Sequence, residues 1–176
     1  MTILLFGVSN VGKSTVGKLL THKLNFAFWF DDEIKKKYDI TLEEFISTDT
    51  LQERDEKRCH LLRTLVKKFG NKVIAVTPLS YADAIIPIIS SPDVIFIELI
   101  DTPENIFERL VFSDENHVIY KDDDYKNAHK AYYLADIQDD LSWYGSVYQN
   151  ITNKFFIDGK LPEEVANEII HLYHLA

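Results

Sequence analysis

Gly7-Val8-Ser9-Asn10-Val11-Gly12-Lys13-Ser14, followed by Thr15, fits the pattern G-x-x-x-x-G-K-[ST] in full. Glycines at this spacing let the backbone turn so that successive N–H groups point into one concavity, where phosphate oxygens are held. The lysine beside the second glycine reaches the β- and γ-phosphates, and the next hydroxyl binds Mg²⁺. Gly7, Ser9, Asn10, Val11, Gly12, Lys13, Ser14 and Thr15 are therefore expected to bind a nucleotide, ATP with Mg²⁺. Ser14 would sit on the metal, and Lys13 would act on the phosphates. This chemistry needs a strand before the loop and a helix after it. The apolar run Ile3–Phe6 and the helically spaced stretch Val16–Leu24 supply them.

Phosphoryl transfer needs positioning, charge neutralisation and a base near the acceptor hydroxyl, so acids and cations come next. Asp31-Asp32-Glu33 follows the short aromatic run Phe26–Phe30. The carboxyl ends of parallel strands line the ligand crevice, and Asp31 is expected there to orient or deprotonate an acceptor hydroxyl. The competing reading is that these acids stabilise a helix N-terminus. Arginine is scarce: Arg54, Arg58, Arg63 and Arg109 are the four in the sequence. Arg54 and Arg58 share a helix face and are expected to clamp an anion on the acceptor. Ion pairing with Glu53 or Glu56 is the alternative, and Arg63 reads as structural.

The elements that must position these residues follow from periodicity. Ile3–Phe6, Val73–Val76, Val94–Ile97, Phe155–Ile157 and Phe26–Phe30 read as buried strands, separated by segments with helical apolar spacing. Leu51–Phe69 places Leu61, Leu62, Leu65, Val66 and Phe69 on one face. Pro103 and Pro162 mark helix starts, and Thr41 with Glu44 resembles a capping box. Strands alternating with helices imply an α/β fold, a mainly parallel sheet covered on both faces. Residues 1–176 read as one domain, with substrate-binding helices over about 31–69. Ser113–Lys126, polar and carrying three consecutive aspartates, reads as a lid-like loop. Tyr120, Tyr125, Tyr132 and Tyr133 read as core packing.

The chain has 176 residues, with Lys plus Arg 19 against Asp plus Glu 28, a formal net charge of −9. That balance argues against nucleic acid or an anionic membrane surface as a main partner, while a small anionic acceptor needs only one local cationic pocket. The single cysteine, Cys59, points to a reducing compartment. No apolar run approaches the ~20 residues of a membrane span. A cytoplasmic protein, a monomer or weak dimer, is expected. A chain of this size favours phosphoryl transfer to a small acceptor.

With the motif and its surroundings in place, the sequence resembles the shikimate kinase family, within the nucleoside monophosphate kinase-like fold. The resemblance rests on Gly12–Leu20 (GKSTVGKLL), Phe30-Asp31-Asp32-Glu33-Ile34, Ile40–Ile46 (ITLEEFI) and Phe155–Ala166 (FFIDGKLPEEVA). It implies a three-layer P-loop fold with a five-stranded parallel sheet of order 2-3-1-4-5, and Mg-ATP-dependent transfer to a hydroxyl of a small metabolite. The family's acceptor-side acid falls on Asp31, and its magnesium-side acid falls on Trp29, for which Asp32 would substitute. Its substrate arginine falls on Arg54, and Arg109 lies on the nucleotide side. Thr77-Pro78-Leu79-Ser80 stands where the family has a triple glycine, and no arginine follows Arg109 to fill the lid position. Gluconate kinases share a similar opening, so gluconate, nucleosides and nucleotides stay open as acceptors. A nucleotide-binding protein that has lost catalysis stays open as well.

Overall fold

The central apolar runs become strands because both of their faces are covered. β1 (Thr2–Phe6) is buried along its whole length. It pairs in parallel with β3 (Lys72–Ala75) on one side and β4 (Val94–Ile100) on the other, with Leu4 opposite both Ile74 and Phe96. β2 (Ala27–Phe30) extends the sheet beyond β3, and a strand at Lys154–Phe156 extends it beyond β4. The computed structural model describes residues 1–30, 50–89, 93–114 and 118–175.

Alternation along β1 divides the core in two. Ile3 and Leu5 join Val11, Val16, Leu20, Val73, Ile97 and Leu99 in one apolar layer. Leu4 and Phe6 join Leu62, Leu65, Ile74, Val76, Leu79, Phe96 and Tyr148 in the other. The first layer is roofed by α1 (Lys13–Leu24) and the C-terminal helix at Pro162–Leu172, and the second by α2 (Leu51–Lys67). Helix α3 (Ala82–Ile89) packs on α2.

Local chemistry sets the helix starts. Thr50 caps α2, its side chain accepting from Glu53 N–H at 3.3 Å while Glu53 accepts from Thr50 N–H at 2.7 Å, a capping box. Thr102 caps α4 (Pro103–Glu108), with Pro103 in the first turn as its fixed φ suggests. The capping box expected at Thr41 and Glu44 lies outside the described residues, as do Asp31 and Asp32.

Three expectations change. The lid-like segment is not simply a loop. Its described residues form an antiparallel ribbon, β5 (Phe112–Ser113) against β6 (Ile119–Tyr120), followed by α5 (Asp123–Ala128) and then the long α6 (Lys130–Val147). Aromatic packing orders it: the Phe112 ring lies 5.7 Å from Tyr120, 5.8 Å from Tyr125 and 5.9 Å from Tyr133. Because the ribbon adds two strands, the sheet's last strand is β7 (Lys154–Phe156), and the order runs β2-β3-β1-β4-β7. The five-stranded parallel architecture is the one expected, with a different label on its outer strand. The tyrosines are also more exposed than core packing implies, with only Tyr133 packed against the first layer. Finally, α2 ends at Lys67, so Phe69 escapes the apolar face and is fully exposed.

Candidate active site

Every strand of the main sheet runs the same way, so the segments after β1, β3 and β4 emerge at one edge. The glycine loop follows β1. Gly7 has φ 133° and Gly12 φ 112°, both in the left-handed range, with Asn10 at 58° between them. A Cβ on Gly7 would stand 2.5 Å from the Leu99 carbonyl oxygen, so only glycine lets the loop pass this close to β4. Val11 is fully buried and pins the middle of the loop to the first core layer.

Lys13 opens α1, and its side chain is buried. Its ammonium donates to the carbonyl oxygens of Gly7 at 2.8 Å and Val8 at 2.7 Å, drawing it back across the loop. Ser14 is half-buried at the helix start, while Ser9 and Thr15 are exposed. The loop therefore presents a cation, hydroxyls and a helix N-terminus in one place, the arrangement that suits phosphate. Nothing lies within 4 Å of a Cβ built on Gly12, so the cradle is open there. This donor set fits a nucleotide's phosphates, and the Ser14 hydroxyl fits Mg²⁺.

Arg109 joins the loop from the end of α4. Its Nε donates to Asn10 O at 3.3 Å, and its terminal nitrogen donates to the Asp101 carboxylate at 2.6 Å. Asp101 follows β4 and also accepts from Thr102 N–H at 2.9 Å and Asn105 Nδ2 at 2.8 Å. Burial pushes its carboxyl up, but the bonds from Asn105, Arg109 and Thr102 outweigh that and hold it below the ordinary range. Arg109 is thus tied to the glycine loop at Asn10.

A second carboxylate organises the segment after β3. Asp55, on α2, is fully buried. It accepts from Ser80 N–H at 2.6 Å, Tyr81 N–H at 3.3 Å and Arg58 at 3.1 Å. Arg58, expected to clamp an acceptor anion, instead faces Asp55 and acts on the site through it. Arg54 has its Nε buried with no hydrogen-bond partner among the described residues, a feature that Arg58 Nε shares. A buried orphan donor one residue before Asp55 suits an incoming anion. From α6, the Tyr148 hydroxyl accepts from Leu79 N–H at 2.9 Å, and burial pushes its phenol strongly up.

Sequence reasoning missed Asp55, Asp101, Tyr144 and Tyr148. Asp55 sits among charged neighbours in Glu53–Arg58, and its only signal is the spacing that puts it on the face of Cys59 and Leu62. Asp101 lies just before a capping threonine and reads as part of the cap. Lys126, at the end of the lid-like segment, is buried with its ammonium 3.4 Å from both Glu108 O and the Asp123 carboxylate. It also lies over the Phe107 ring, as Lys130 does. Among the described residues no cluster of three or more His, Cys, Asp or Glu could hold a metal. No described helix is long and apolar enough to cross a membrane.

The same fold occurs in solved structures of low sequence identity. Shikimate kinase from Bacteroides thetaiotaomicron superposes with a TM-score of 0.73 at 21% identity, covering 99% of this chain and 98% of that one. The Acinetobacter baumannii shikimate kinase, solved in complex with shikimate, gives 0.68 at 19%, covering 98% and 92%. A gluconokinase from Sinorhizobium meliloti gives 0.55 at 13%, covering 99% and 97%. No curated protein sequence matches the chain. Residues 9–174, which take in the loop from Ser9 onward, the Asp55 and Asp101 braces and all of the sheet beyond β1, match the family described as shikimate kinase, and the chain belongs to that family.

Proposed function

We propose that this kinase takes ATP with Mg²⁺ and transfers a phosphoryl group to a hydroxyl of a small acceptor, with shikimate as the first candidate. The observation that carries this reading is the glycine loop with Lys13 drawn across it at the carboxyl edge of the sheet. Gly7 to Thr15 would cradle the phosphates, with Lys13 exchanging two carbonyl partners for phosphate oxygens. Ser14 and Asp32 would hold Mg²⁺, which when bound neutralises charge on the phosphates. Asp31, the residue after β2, would orient or deprotonate the acceptor hydroxyl. Arg54, with its orphaned Nε, would bind an acceptor anion.

A second reading rests on the sequence: Thr77-Pro78-Leu79-Ser80 stands where the family has a triple glycine and no arginine follows Arg109, which keeps gluconate, a nucleoside or a nucleotide in play as the acceptor. A nucleotide-binding protein without turnover is the third reading, supported by Lys126 being committed to Glu108 and Asp123 rather than open to a ligand.

The deciding experiment is ATP consumption by the purified protein with Mg²⁺ and a panel of shikimate, gluconate and nucleosides. Turnover with shikimate above the no-acceptor rate supports the first reading. Turnover with another member moves the acceptor, and ATP binding without turnover on any member supports the third. Failure to bind ATP overturns all three.

A further inference from the structure

We propose that the hollow at the amino-terminal edge of the sheet is a second ligand site and takes a small organic anion, its charged group on Lys67, Lys68 and Lys72 and its apolar body against Val66 and Phe69. The hollow has a volume of about 520 Å³, within the range of small-molecule sites. β1 leaves it at Thr2 and reaches the phosphate loop at Gly7. At roughly 3.3 Å per residue about 17 Å of strand separates the two, so a ligand here does not compete with a nucleotide. The shape follows from how α2 ends. Lys68 leaves the helix in extended backbone, φ −65° and ψ 142°, and Gly70 takes φ 99°, where a side chain would be strained. The chain therefore swings away from α2 before β3 begins at Lys72, and Phe69 is turned outward, fully exposed. The sheet fixes the opposite wall, with Asn71 O accepting from Ala27 N–H at 3.0 Å and Met1 O from Lys72 N–H at 3.2 Å.

Three lysines line this hollow against one acid, Asp93, in a chain whose net charge is −9. Two of them are held in place. Lys68 lies over the Trp29 ring, its ammonium 5.0 Å from the centroid. Lys72 is only 3% exposed, and its ammonium donates to the Lys68 carbonyl oxygen. That bond uses one of three N–H donors, and among the described residues no carboxylate pairs with Lys72. Burial accordingly pulls its pKa down with no acid to offset the cost. A buried charge is tolerated when it is paired, and an anion in the hollow supplies the partner. Closing the end of α2 accounts for one N–H of Lys72, but for neither the exposed Lys67 nor the exposed Phe69 beside it. The mixed wall sets the ligand class. A bare inorganic ion would leave Val66 and Phe69 against water, and a neutral molecule would leave Lys72 unpaired.

The test titrates phenyl phosphate into the full chain with Mg-ADP present, follows the backbone amides by NMR, and repeats the titration with inorganic phosphate and with phenol. Phenyl phosphate should shift the amides around Lys67–Lys72 and Asp93, and should leave those of Gly7–Thr15 where Mg-ADP put them. It should bind at least about fivefold tighter than inorganic phosphate, and phenol should shift nothing. Lys72→Met should weaken binding about tenfold or more, the weight of one charge-assisted bond, and the exposed Lys67→Met about threefold. Asp93→Asn should tighten binding about twofold, because a like charge leaves the wall, a result that a merely structural role would not give. Binding should also weaken as salt rises from about 50 to 500 mM. Lys67 and Asp93 are both exposed, so their variants carry the test if Lys72→Met does not fold. No shift around Lys67–Lys72 and Asp93 at about 10 mM phenyl phosphate overturns the inference, as do shifts that neither Lys67→Met nor Asp93→Asn alters. Equal affinity for phenol or for inorganic phosphate overturns the ligand class. Failure of Mg-ADP to shift Gly7–Thr15 would count against the kinase reading alone, because the hollow stands apart from it.

Discussion

Removing the charge of Asp55 should loosen the loop after β3 at the sheet edge. Its carboxylate takes a 2.6 Å bond from Ser80 N–H, a 3.3 Å bond from Tyr81 N–H and a 3.1 Å bond from Arg58, with none of the side chain exposed. Asparagine has the same size but only one oxygen. Its best rotamer keeps that oxygen on the two N–H groups and turns an NH₂ donor toward the Arg58 donor. The Arg58 bond is lost, at about 1.5–3 kcal/mol for a hydrogen bond to a charged group. The remaining two fall from charge-assisted to neutral strength, roughly halving them. The total is about 3–4 kcal/mol. For a chain of this length each kcal/mol moves the melting temperature by about 2–4 °C, so Asp55→Asn should melt about 6–16 °C below wild type by calorimetry. Arg58→Met leaves the carboxylate with its two backbone donors and should cost less. In the Asp55→Asn background it should cost almost nothing, because the pair is already broken. A melting temperature within 2 °C of wild type for Asp55→Asn would refute this account of the brace. So would an Arg58→Met cost that is undiminished in the double variant.

Three further outcomes follow from the nucleotide side. Lys13→Met should weaken ATP binding about a hundredfold by titration calorimetry, since a charge-assisted contact to phosphate is lost; an unchanged dissociation constant would remove Lys13 from the site. Gly7→Ala combines a φ of 133° with a Cβ 2.5 Å from Leu99 O, whereas Gly12→Ala meets nothing within 4 Å. Gly7→Ala should therefore cost about 2–4 kcal/mol and more than Gly12→Ala, and thermal unfolding of both variants would expose a reversed order. The third concerns Asp101, whose carboxyl is held below its ordinary value of 3.8. A depressed acid stabilises the fold above its unfolded value, and that stabilisation is lost as pH falls through the folded one. The stability gap between wild type and Asp101→Asn in urea should be level above about pH 5 and narrow below the unfolded value; a gap constant down to pH 3 would contradict the assigned bonds.

The central strands were legible because each is buried on both faces and so reads as an unbroken apolar run, as in Ile3–Phe6 and Val94–Ile97. The phosphate loop was legible because its two glycines sit where the backbone needs φ 133° and 112°. The ribbon was not legible. β5 and β6 contribute two residues each, too few for any period to register, and what orders them is contact between Phe112 and tyrosines eight to twenty-one positions away. Asp55 was not legible for a different reason. Its partners Ser80 and Tyr81 lie 25 and 26 residues along the chain, so a carboxylate that serves backbone donors looks the same in sequence as one facing water. The same holds for the Tyr148 hydroxyl, 69 residues from the Leu79 N–H it accepts.

Asp55 and Asp101 solve one problem at two places on the same edge. Each is a buried carboxylate that carries an arginine: Asp55 also accepts Ser80 and Tyr81 N–H from the loop after β3, and Asp101 accepts the adjacent Thr102 N–H and the Asn105 side chain at the start of α4. A buried charge is tolerated only when paired and fully bonded, so each loop is held by a group that has few alternatives. The loop after β3 and the end of α4 are thereby set before any ligand arrives. Arg109 carries that order on to Asn10, in the middle of the phosphate loop. Pre-set groups lose little freedom on binding, which is how an edge of this kind turns contacts into affinity. The two arginines spent on the braces, Arg58 and Arg109, are half of the four in the sequence. Arg63 lines a cavity between α2 and α3, with Glu56 and Asp83. That leaves Arg54, which makes neither brace, as the arginine on which acceptor charge can be tested: Arg54→Met should raise the KM of an anionic acceptor and leave that of a neutral one unchanged.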